Sequence, residues 1–292
     1  MTLLITGTSG FIGRRLKRAV STQLPIGEIV GLEHRWDGID CLRRLIPDRV
    51  EACVHLAWAA SSTNYLNDVR SNRESFIASI ELAHVLVERE CQHLVIAGSC
   101  AEYAQSDRPV YEESSLRADS PYAEYKIRLH ESLPEFGIPF AWTRLFGDVG
   151  PGESASRLMS SVVRSLLTRT DVPLSPGEQV RDLIDVDDVA RALLALSNTR
   201  EVGVFNVCRG EPVVLRDFLF LLADVMHADR ALLNFGRRPY GLVDPMYVVG
   251  DPTHLQASIG DWYPEFDTLD MARRIVTDVT GTDVSPASSP DH

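Results

Sequence analysis

The stretch Thr2-Leu3-Leu4-Ile5-Thr6-Gly7-Thr8-Ser9-Gly10-Phe11-Ile12-Gly13 decides the fold. Residues 2–6 form a short, apolar, β-favouring run, as expected of a strand buried on both faces of a parallel sheet. The residues after it recur at helical spacing, with Phe11, Ile12, Leu16, Ala19 and Val20 on one side and Arg14, Arg15, Lys17 and Arg18 toward water. Between the two, Gly7, Gly10 and Gly13 let the backbone turn sharply and approach a pyrophosphate. The helix N-terminus adds free N–H groups and the positive end of its dipole. A Gly-x-x-Gly-x-x-Gly spacing alone marks only a turn. Set between a first strand and a first helix, it predicts a dinucleotide site formed by Gly7, Ser9, Gly10, Phe11, Ile12 and Gly13.

Working outward, residues 28–33 read as a second strand ending in an acid. Glu33 stands twenty residues after Gly13, the separation at which a carboxylate bonds the adenosine ribose hydroxyls, and this favours NAD. His34 and Arg35 pull the other way, as cations that could hold the 2′-phosphate of NADP, with Arg14 as a possible helper. Residues 50–57 form the third strand, whose end brings Leu56 and Ala57 to the same site. Residues 72–89 make a long amphipathic helix and 93–98 the fourth strand. Strands alternating with helices imply a parallel sheet with right-handed crossovers and ligands at the carboxyl ends of its strands, where Ser99 lies.

The second half is less regular. A strand is expected over 138–144, a glycine-rich turn over 147–153, a helix over 156–167, and a strand over 182–188 running into a helix over 189–196. A strand over 203–208 and a helix over 215–226 follow. The expected fold is therefore α/β, a doubly wound parallel sheet with a smaller C-terminal α/β lobe. Residues 1–150 form the dinucleotide-binding domain, to which some later segments return. Residues 151–276 form mainly the substrate lobe, and the Ser-, Thr-, Asp- and Pro-rich residues 277–292 a mobile tail.

At 292 residues the chain has the size of one such domain with a lobe. A formal net charge of −12 speaks against a nucleic-acid surface and leaves any anionic ligand to local arginines. The five cysteines are odd in number and unevenly spaced. They read as free thiols of a reducing compartment, with neither a disulfide frame nor metal-ligand spacing. With no basic and apolar signal segment and no bilayer-length apolar run, the expectation is a soluble, cytoplasmic protein without membrane or metal.

Three residue types suited to hydride exchange between a nicotinamide and a carbinol or carbonyl occur in order: Ser99, Tyr122 and Lys126. Tyr122 and Lys126 lie four apart on an expected helix and share a face. Ser120 suits its cap and Pro121 its first position. The positive helix end and the Lys126 ammonium are expected to lower the tyrosine pKa toward neutrality. Tyr122 then exchanges the proton, Ser99 bonds the same oxygen, and Lys126 also holds the nicotinamide ribose. A Tyr and a Lys one turn apart recur by chance on exposed helices, Tyr125 on this helix has no such role, and a Ser can merely end a strand. The set together with the glycine turn carries the argument.

These stretches, with His55-Leu56-Ala57, Ser99-Cys100-Ala101-Glu102-Tyr103, Tyr122-x-x-x-Lys126 and Arg181-Asp182-Leu183-Ile184-Asp185-Val186-Asp187-Asp188, resemble the extended short-chain dehydrogenase/reductases, the nucleotide-sugar epimerase/dehydratase group. The resemblance runs over about residues 1–265 and implies a Rossmann domain, NAD(H) or NADP(H), and Ser99, Tyr122 and Lys126 as the catalytic set. By similarity to UDP-galactose epimerases, Arg181 and Arg238 of Arg237-Arg238-Pro239 are expected to clamp a nucleotide diphosphate, a task for guanidinium forks in an acidic protein. An Arg-Asp pair can equally be a structural salt bridge, and Arg238 a surface cation. Ser99 and Cys100 are expected to face the sugar.

The departures bear on the reaction. The family's 4,6-dehydratases place an Asp-Glu pair where this chain has Cys100 and Ala101, with Glu102 or Cys100 left as partial stand-ins. Its 3,5-epimerase/reductases use a Cys and a His where this chain has Ala101 and Gly152, and the frequent substrate Asn is replaced by Gly147. What is left is chemistry needing only Tyr, Ser, Lys and a nicotinamide. The resemblance, including His130 on the Tyr-Lys helix, points to a ketoreductase acting at C4 of a nucleotide-linked, dTDP-type 4-keto-6-deoxyhexose in deoxysugar biosynthesis, with NADPH favoured. The alternatives are a 4-epimerase with tightly held NAD and a non-catalytic NADP-binding sensor. A homodimer through the Tyr-Lys helix and residues 72–89 is expected.

Overall fold

The computed structural model describes residues 2–23, 29–32, 36–60, 64–241, 244–260 and 262–284. The first strand, β1 (Leu3–Thr6), is buried along its whole length and leads through the glycine turn into α1 (Phe11–Gln23). β2 (Ile29–Leu32), α2 (Ile39–Leu45), β3 (Ala52–His55), α3 (Val69–Glu88) and β4 (His93–Ser99) follow, and a 3-10 turn, Cys100–Glu102, closes β4. Then come α4 (Pro121–Ser132), β5 (Phe140–Leu145), β6 (Gly147–Val149), α5 (Leu158–Leu167), β7 (Val172–Pro173), β8 (Val180–Asp185) and α6 (Val186–Thr199). β9 (Gly203–Val207), β10 (Pro212–Val214), α7 (Leu215–Val225), β11 (Leu233–Asn234), β12 (Tyr247–Val248), α8 (Thr253–Ile259) and α9 (Thr268–Thr280) complete the order.

The main sheet is parallel, in the order β2-β1-β3-β4-β5-β9. Its strands alternate between two apolar cores. Leu3, Ile5, Val54 and Val95 meet Leu16 and Val20 of α1 and Val189 and Leu193 of α6, while Leu4, Cys53, Leu94 and Ile96 meet Leu82, Leu86 and Leu129. The direction of winding reverses between β1 and β3, which opens a crevice at their carboxyl ends. A third apolar core joins α5, α7 and α9 through Val162, Val163, Phe218, Leu222, Met271 and Ile275. β8 carries a separate small sheet with β10, β12 and β6.

The structure departs from the sequence reading in several places. Residues 147–149 are a strand rather than a turn, paired with Leu183 to Asp185. β9 extends the main sheet beside β5, and α6 packs on α1, so these two are later segments that return to the elements of the first half. α3 starts three residues early because Asp68 caps it, accepting from the Ser71 N–H at 3.0 Å. α9 runs through residues 277–280 to a left-handed Gly281, beyond the point where the tail was expected to begin. Among the described residues no helix is long and apolar enough to cross a membrane, and no group of three or more His, Cys, Asp or Glu is placed to hold a metal ion.

Candidate active site

The glycine turn sits in the crevice between β1 and β3. Gly7 has φ +73°, and a Cβ there would stand 2.9 Å from the Ala57 nitrogen. At Gly13 a Cβ would lie 2.0 Å from the Gly7 carbonyl oxygen, so α1 can seat against the turn only with glycine at this position. The Ala57 N–H donates to Thr6 Oγ1 at 3.2 Å, which ties the two strand ends together. Thr8 is 2% exposed and its hydroxyl has no hydrogen-bond partner among the described residues, beside Gly31 of β2. The backbone cradle, the first-turn N–H groups of α1 and this orphaned hydroxyl fit an adenine dinucleotide. Ser9 is exposed at the lip, while Phe11, Ile12 and Leu56 are half-buried below it. Glu33, His34 and Arg35 lie outside the described residues. The Arg14 guanidinium donates to the Ser9 and Gly152 carbonyls.

Ser99 ends β4, and α4 brings Tyr122 and Lys126 to it. The Ser120 side chain accepts from the Ala123 N–H at 3.2 Å, and Pro121 occupies the first helical turn, as the sequence requires of a helix starting here. Tyr122 and Ser99 share a side-chain hydrogen bond. The Tyr122 ring is gripped edge-on by Tyr65, with centroids 5.1 Å apart, and by Trp58 at 6.2 Å. Lys126 Nζ donates to the Ala97 carbonyl at 2.6 Å and stands 3.8 Å over the Trp58 ring. Asn72 of α3 fixes that indole, accepting from its Nε1 at 2.8 Å. Tyr125 packs on Phe76 of α3 and takes no part.

The electrostatics correct one expectation. Burial raises the Tyr122 pKa above its ordinary value, with Tyr65 adding to the rise and the Ser99 hydrogen bond opposing it. Removal from water outweighs the helix end, and Lys126 does not offset it. Burial pulls the lysine itself from 10.5 to about 7, against the nearby Glu102 charge. His55 is pushed to about 3 by burial and bridges Thr6 Oγ1 at 2.7 Å and Ser79 Oγ at 2.9 Å as a neutral core ring.

Glu102 does not stand in as a catalytic acid. Its carboxylate is 0% exposed and accepts from the Ser99 N–H at 2.7 Å, Arg144 Nε at 2.9 Å and Trp142 Nε1 at 3.0 Å. The Cys100 thiol is pushed up to about 12 by burial, so it keeps its proton. His130 packs on Trp142 and Phe140.

Arg181 is half-buried, feels the Cys100 sulfur and pairs with Asp244 at 2.8 Å. The same carboxylate accepts from Gln179 Nε2 at 2.8 Å. Arg238 is exposed beyond β11, its backbone N–H donating to the Leu174 carbonyl at 3.0 Å. Ser99, Tyr122 and Lys126 thus meet at the end of β4, Arg181 stands near Cys100, and Arg238 stands at the surface. Sequence reasoning missed Trp58, Tyr65, Asp148 and Arg157. Arg157 lies 3.9 Å from Asp148 and 3.4 Å from Glu153, and its charge acts on Tyr65 and Tyr122. The signal available for Asp148 was its place directly after Gly147 and before the Gly150-Pro151 turn.

Comparison with known proteins adds four findings. A model of the NAD dependent epimerase/dehydratase family matches residues 3–208. The GDP-6-deoxy-D-mannose reductase of Pseudomonas aeruginosa is 26% identical, over 94% of this chain and 96% of that protein. The dTDP-6-deoxy-L-talose 4-dehydrogenase (NAD(+)) of Aggregatibacter actinomycetemcomitans is 23% identical, over 74% of this chain and 87% of that protein. Among solved structures, RMD from Pseudomonas aeruginosa complexed with NADPH superposes with a TM-score of 0.84 at 24% identity, over 96% of this chain and 99% of that one, which shows a shared fold.

Proposed function

The chain belongs to the NAD dependent epimerase/dehydratase family, and from that membership we propose that it is an NADPH-dependent ketoreductase acting at C4 of a nucleotide-linked 4-keto-6-deoxyhexose. One observation carries the reading: Ser99, Tyr122 and Lys126 come together at the end of β4, while the residues that could run a dehydration are occupied or absent. Glu102 is locked beneath the serine and Cys100 is held as a thiol. Both relatives named above act on 6-deoxy sugars carried by a nucleotide, one on GDP and one on dTDP, which supports the sugar class.

When bound, the reduced nicotinamide supplies the hydride. Tyr122, kept neutral by burial, carries the proton that the new alkoxide at C4 takes up. Ser99 donates to the same oxygen, and Lys126 in its charged form stabilises the negative charge that develops there. Arg181 takes the diphosphate, exchanging its bond to Asp244 for the phosphate oxygens. Arg157 and Asp148 border the sugar beside Tyr122. As in the sequence expectation, the protein works as a homodimer through α3 and α4, where Phe76, Ile80, His84, Val87 and Phe136 line a groove of about 570 Å³. Sedimentation at micromolar concentration tests this, and a monomer there overturns it.

The test of function mixes purified protein with GDP- or dTDP-linked 4-keto-6-deoxyhexose and NADPH or NADH, following the absorbance of the reduced nicotinamide. A stoichiometric fall with NADPH is expected, and the faster nucleotide names the donor. No fall, with NAD+ released from the protein on denaturation, moves the assignment to a 4-epimerase. No fall and no cofactor binding overturns it.

A further inference from the structure

We propose that Glu102 is a positioning residue for Ser99: its buried carboxylate, itself fixed by Arg144, sets where the serine N–H and hydroxyl stand at the end of β4. The proposal rests on the reading above that Ser99 bonds the reacting oxygen.

The carboxylate and the guanidinium are 0% and 2% exposed. A charge pair this deep loses its hydration, and apolar residues of similar volume commonly serve stability as well or better. Its presence directly beneath the serine is therefore poorly explained by stability alone. The geometry supplies the other explanation. Glu102 Oε1 accepts from the Ser99 N–H at 2.7 Å, and Ser99 Oγ accepts from the Ala101 N–H at 3.1 Å. This reciprocal cap holds the serine at both its backbone and its side chain. With one lone pair of Oγ tied to Ala101, the hydroxyl proton is left to point into the cleft.

The carboxylate in turn has no freedom. Arg144 Nε and Trp142 Nε1, both from β5, donate to Oε2. Arg144 Nη1 donates to the Tyr103 hydroxyl at 2.9 Å and the Glu112 carbonyl at 2.8 Å. The Tyr103 hydroxyl donates to Asn206 Oδ1 of β9 at 2.6 Å. Three neighbouring strands of the main sheet are thus pinned to one carboxylate. Gly98 makes room for it, since a Cβ there would stand 2.4 Å from Trp142 Nε1 and 2.8 Å from Glu102 Oε1. Glu102 is fully buried and holds Ser99 by contact; its charge also favours the Lys126 ammonium and the neutral Tyr122, a contribution that moves the pH profile of kcat, whereas the one through Ser99 lowers kcat at every pH.

The experiment is a double-mutant cycle on turnover of whichever 4-keto-6-deoxy nucleotide sugar the wild type reduces. Glu102→Gln is expected to lower kcat about 10- to 100-fold, the scale of a misplaced catalytic group, with KM and the NADPH Kd unchanged. Ser99→Ala with Glu102→Gln is expected to be no slower than Ser99→Ala alone, because the glutamate acts through the serine. Should Glu102→Gln fail to fold with Arg144 left unpaired, Glu102→Leu/Arg144→Met removes both charges, and the same kcat loss with wild-type Tm is expected. Losses that multiply in the double variant, or wild-type turnover in the folded apolar pair, overturn the proposal while leaving Ser99 its role. Full turnover in Ser99→Ala refutes the role of Ser99, and the proposal falls with it.

Discussion

Replacing Lys126 with Met should stabilise the protein at neutral pH while ending its turnover, and the size and pH dependence of the effect follow from the site. The side chain is 3% exposed, and burial lowers its pKa from 10.5 to about 7. Below about pH 7 both folded and unfolded chains hold the ammonium charged, and only the folded chain bears the desolvation cost. Between about 7 and 10.5 the folded chain has lost the proton that the unfolded chain keeps, so the unfolded state binds more protons and stability rises with pH. At about 1.4 kcal/mol for each pKa unit, the full cost at low pH is at most about 5 kcal/mol. The charged hydrogen bond to Ala97 O returns about 2–3 kcal/mol of this, leaving a net gain near 2 kcal/mol for the variant. The expected result is a Tm roughly 4 °C higher than wild type at about pH 6.5, with the gap closing by about pH 8.5, since stability of the wild type rises by about 1.4 kcal/mol per pH unit above about 7. The assay is thermal unfolding of cofactor-stripped protein followed by circular dichroism. His55, neutral at these pH values, does not distort the comparison, and the Glu102 charge acts in the opposite direction, favouring the ammonium. Equal melting temperatures at about pH 6.5, or a gap independent of pH, would refute the reasoning.

Three further outcomes are expected. Tyr122→Phe removes the proton donor but keeps the ring between Trp58 and Tyr65, so kcat should fall about 10²- to 10⁴-fold with NADPH affinity by fluorescence titration unchanged. Gly13→Ala drives a methyl to 2.0 Å from the Gly7 carbonyl, whereas the same change at Gly10 meets that oxygen at 3.1 Å. Tm and NADPH affinity should therefore fall for Gly13→Ala by about 1–3 kcal/mol in stability and clearly less for Gly10→Ala. Arg181→Met leaves Asp244 without its cation and should weaken GDP or dTDP binding about tenfold or more by calorimetry, and unchanged binding would return Arg181 to a structural role.

How far the fold was legible follows from which forces are local. A run such as Leu3 to Thr6, buried on every residue, and a following helix with one apolar face are patterns over adjacent residues, and they survive into the structure. The second half failed where the deciding contact is remote. Gly147 to Val149 looks like a turn by composition, yet it is a strand because Leu183 to Asp185 offers a free edge. β9 looks like any short strand, and nothing within it says that it pairs with β5 rather than with its neighbours in sequence. α9, which the sequence reading did not place, runs into the expected tail for a related reason. Its Thr-rich last turn has weak helix propensity, and burial of Met271, Ile275 and Val276 against α5 and α7 overrides it.

The site divides along the same line. Ser99, Tyr122 and Lys126 were readable because their chemistry needs fixed residue types at a strand end and one helical turn apart, and the structure brings them together. Their electrostatics were not readable, since the Tyr122 pKa depends on how completely Trp58 and Tyr65 exclude water from its ring. The expectation that the lysine would lower it assumed a full ammonium charge, and the same exclusion of water works against that charge. Glu102 is the sharpest case. In the sequence it is a carboxylate near a catalytic serine and so resembles an acid for hire. Only its partners, an arginine 42 residues away and an indole 40 residues away, turn it from a proton donor into a fixed support. Burial raises the proton affinity of this carboxylate, and Arg144, the Ser99 N–H and Trp142 work against that rise; fully buried and committed to these three donors, Glu102 is kept from acid–base chemistry by the same contacts that let it hold Ser99.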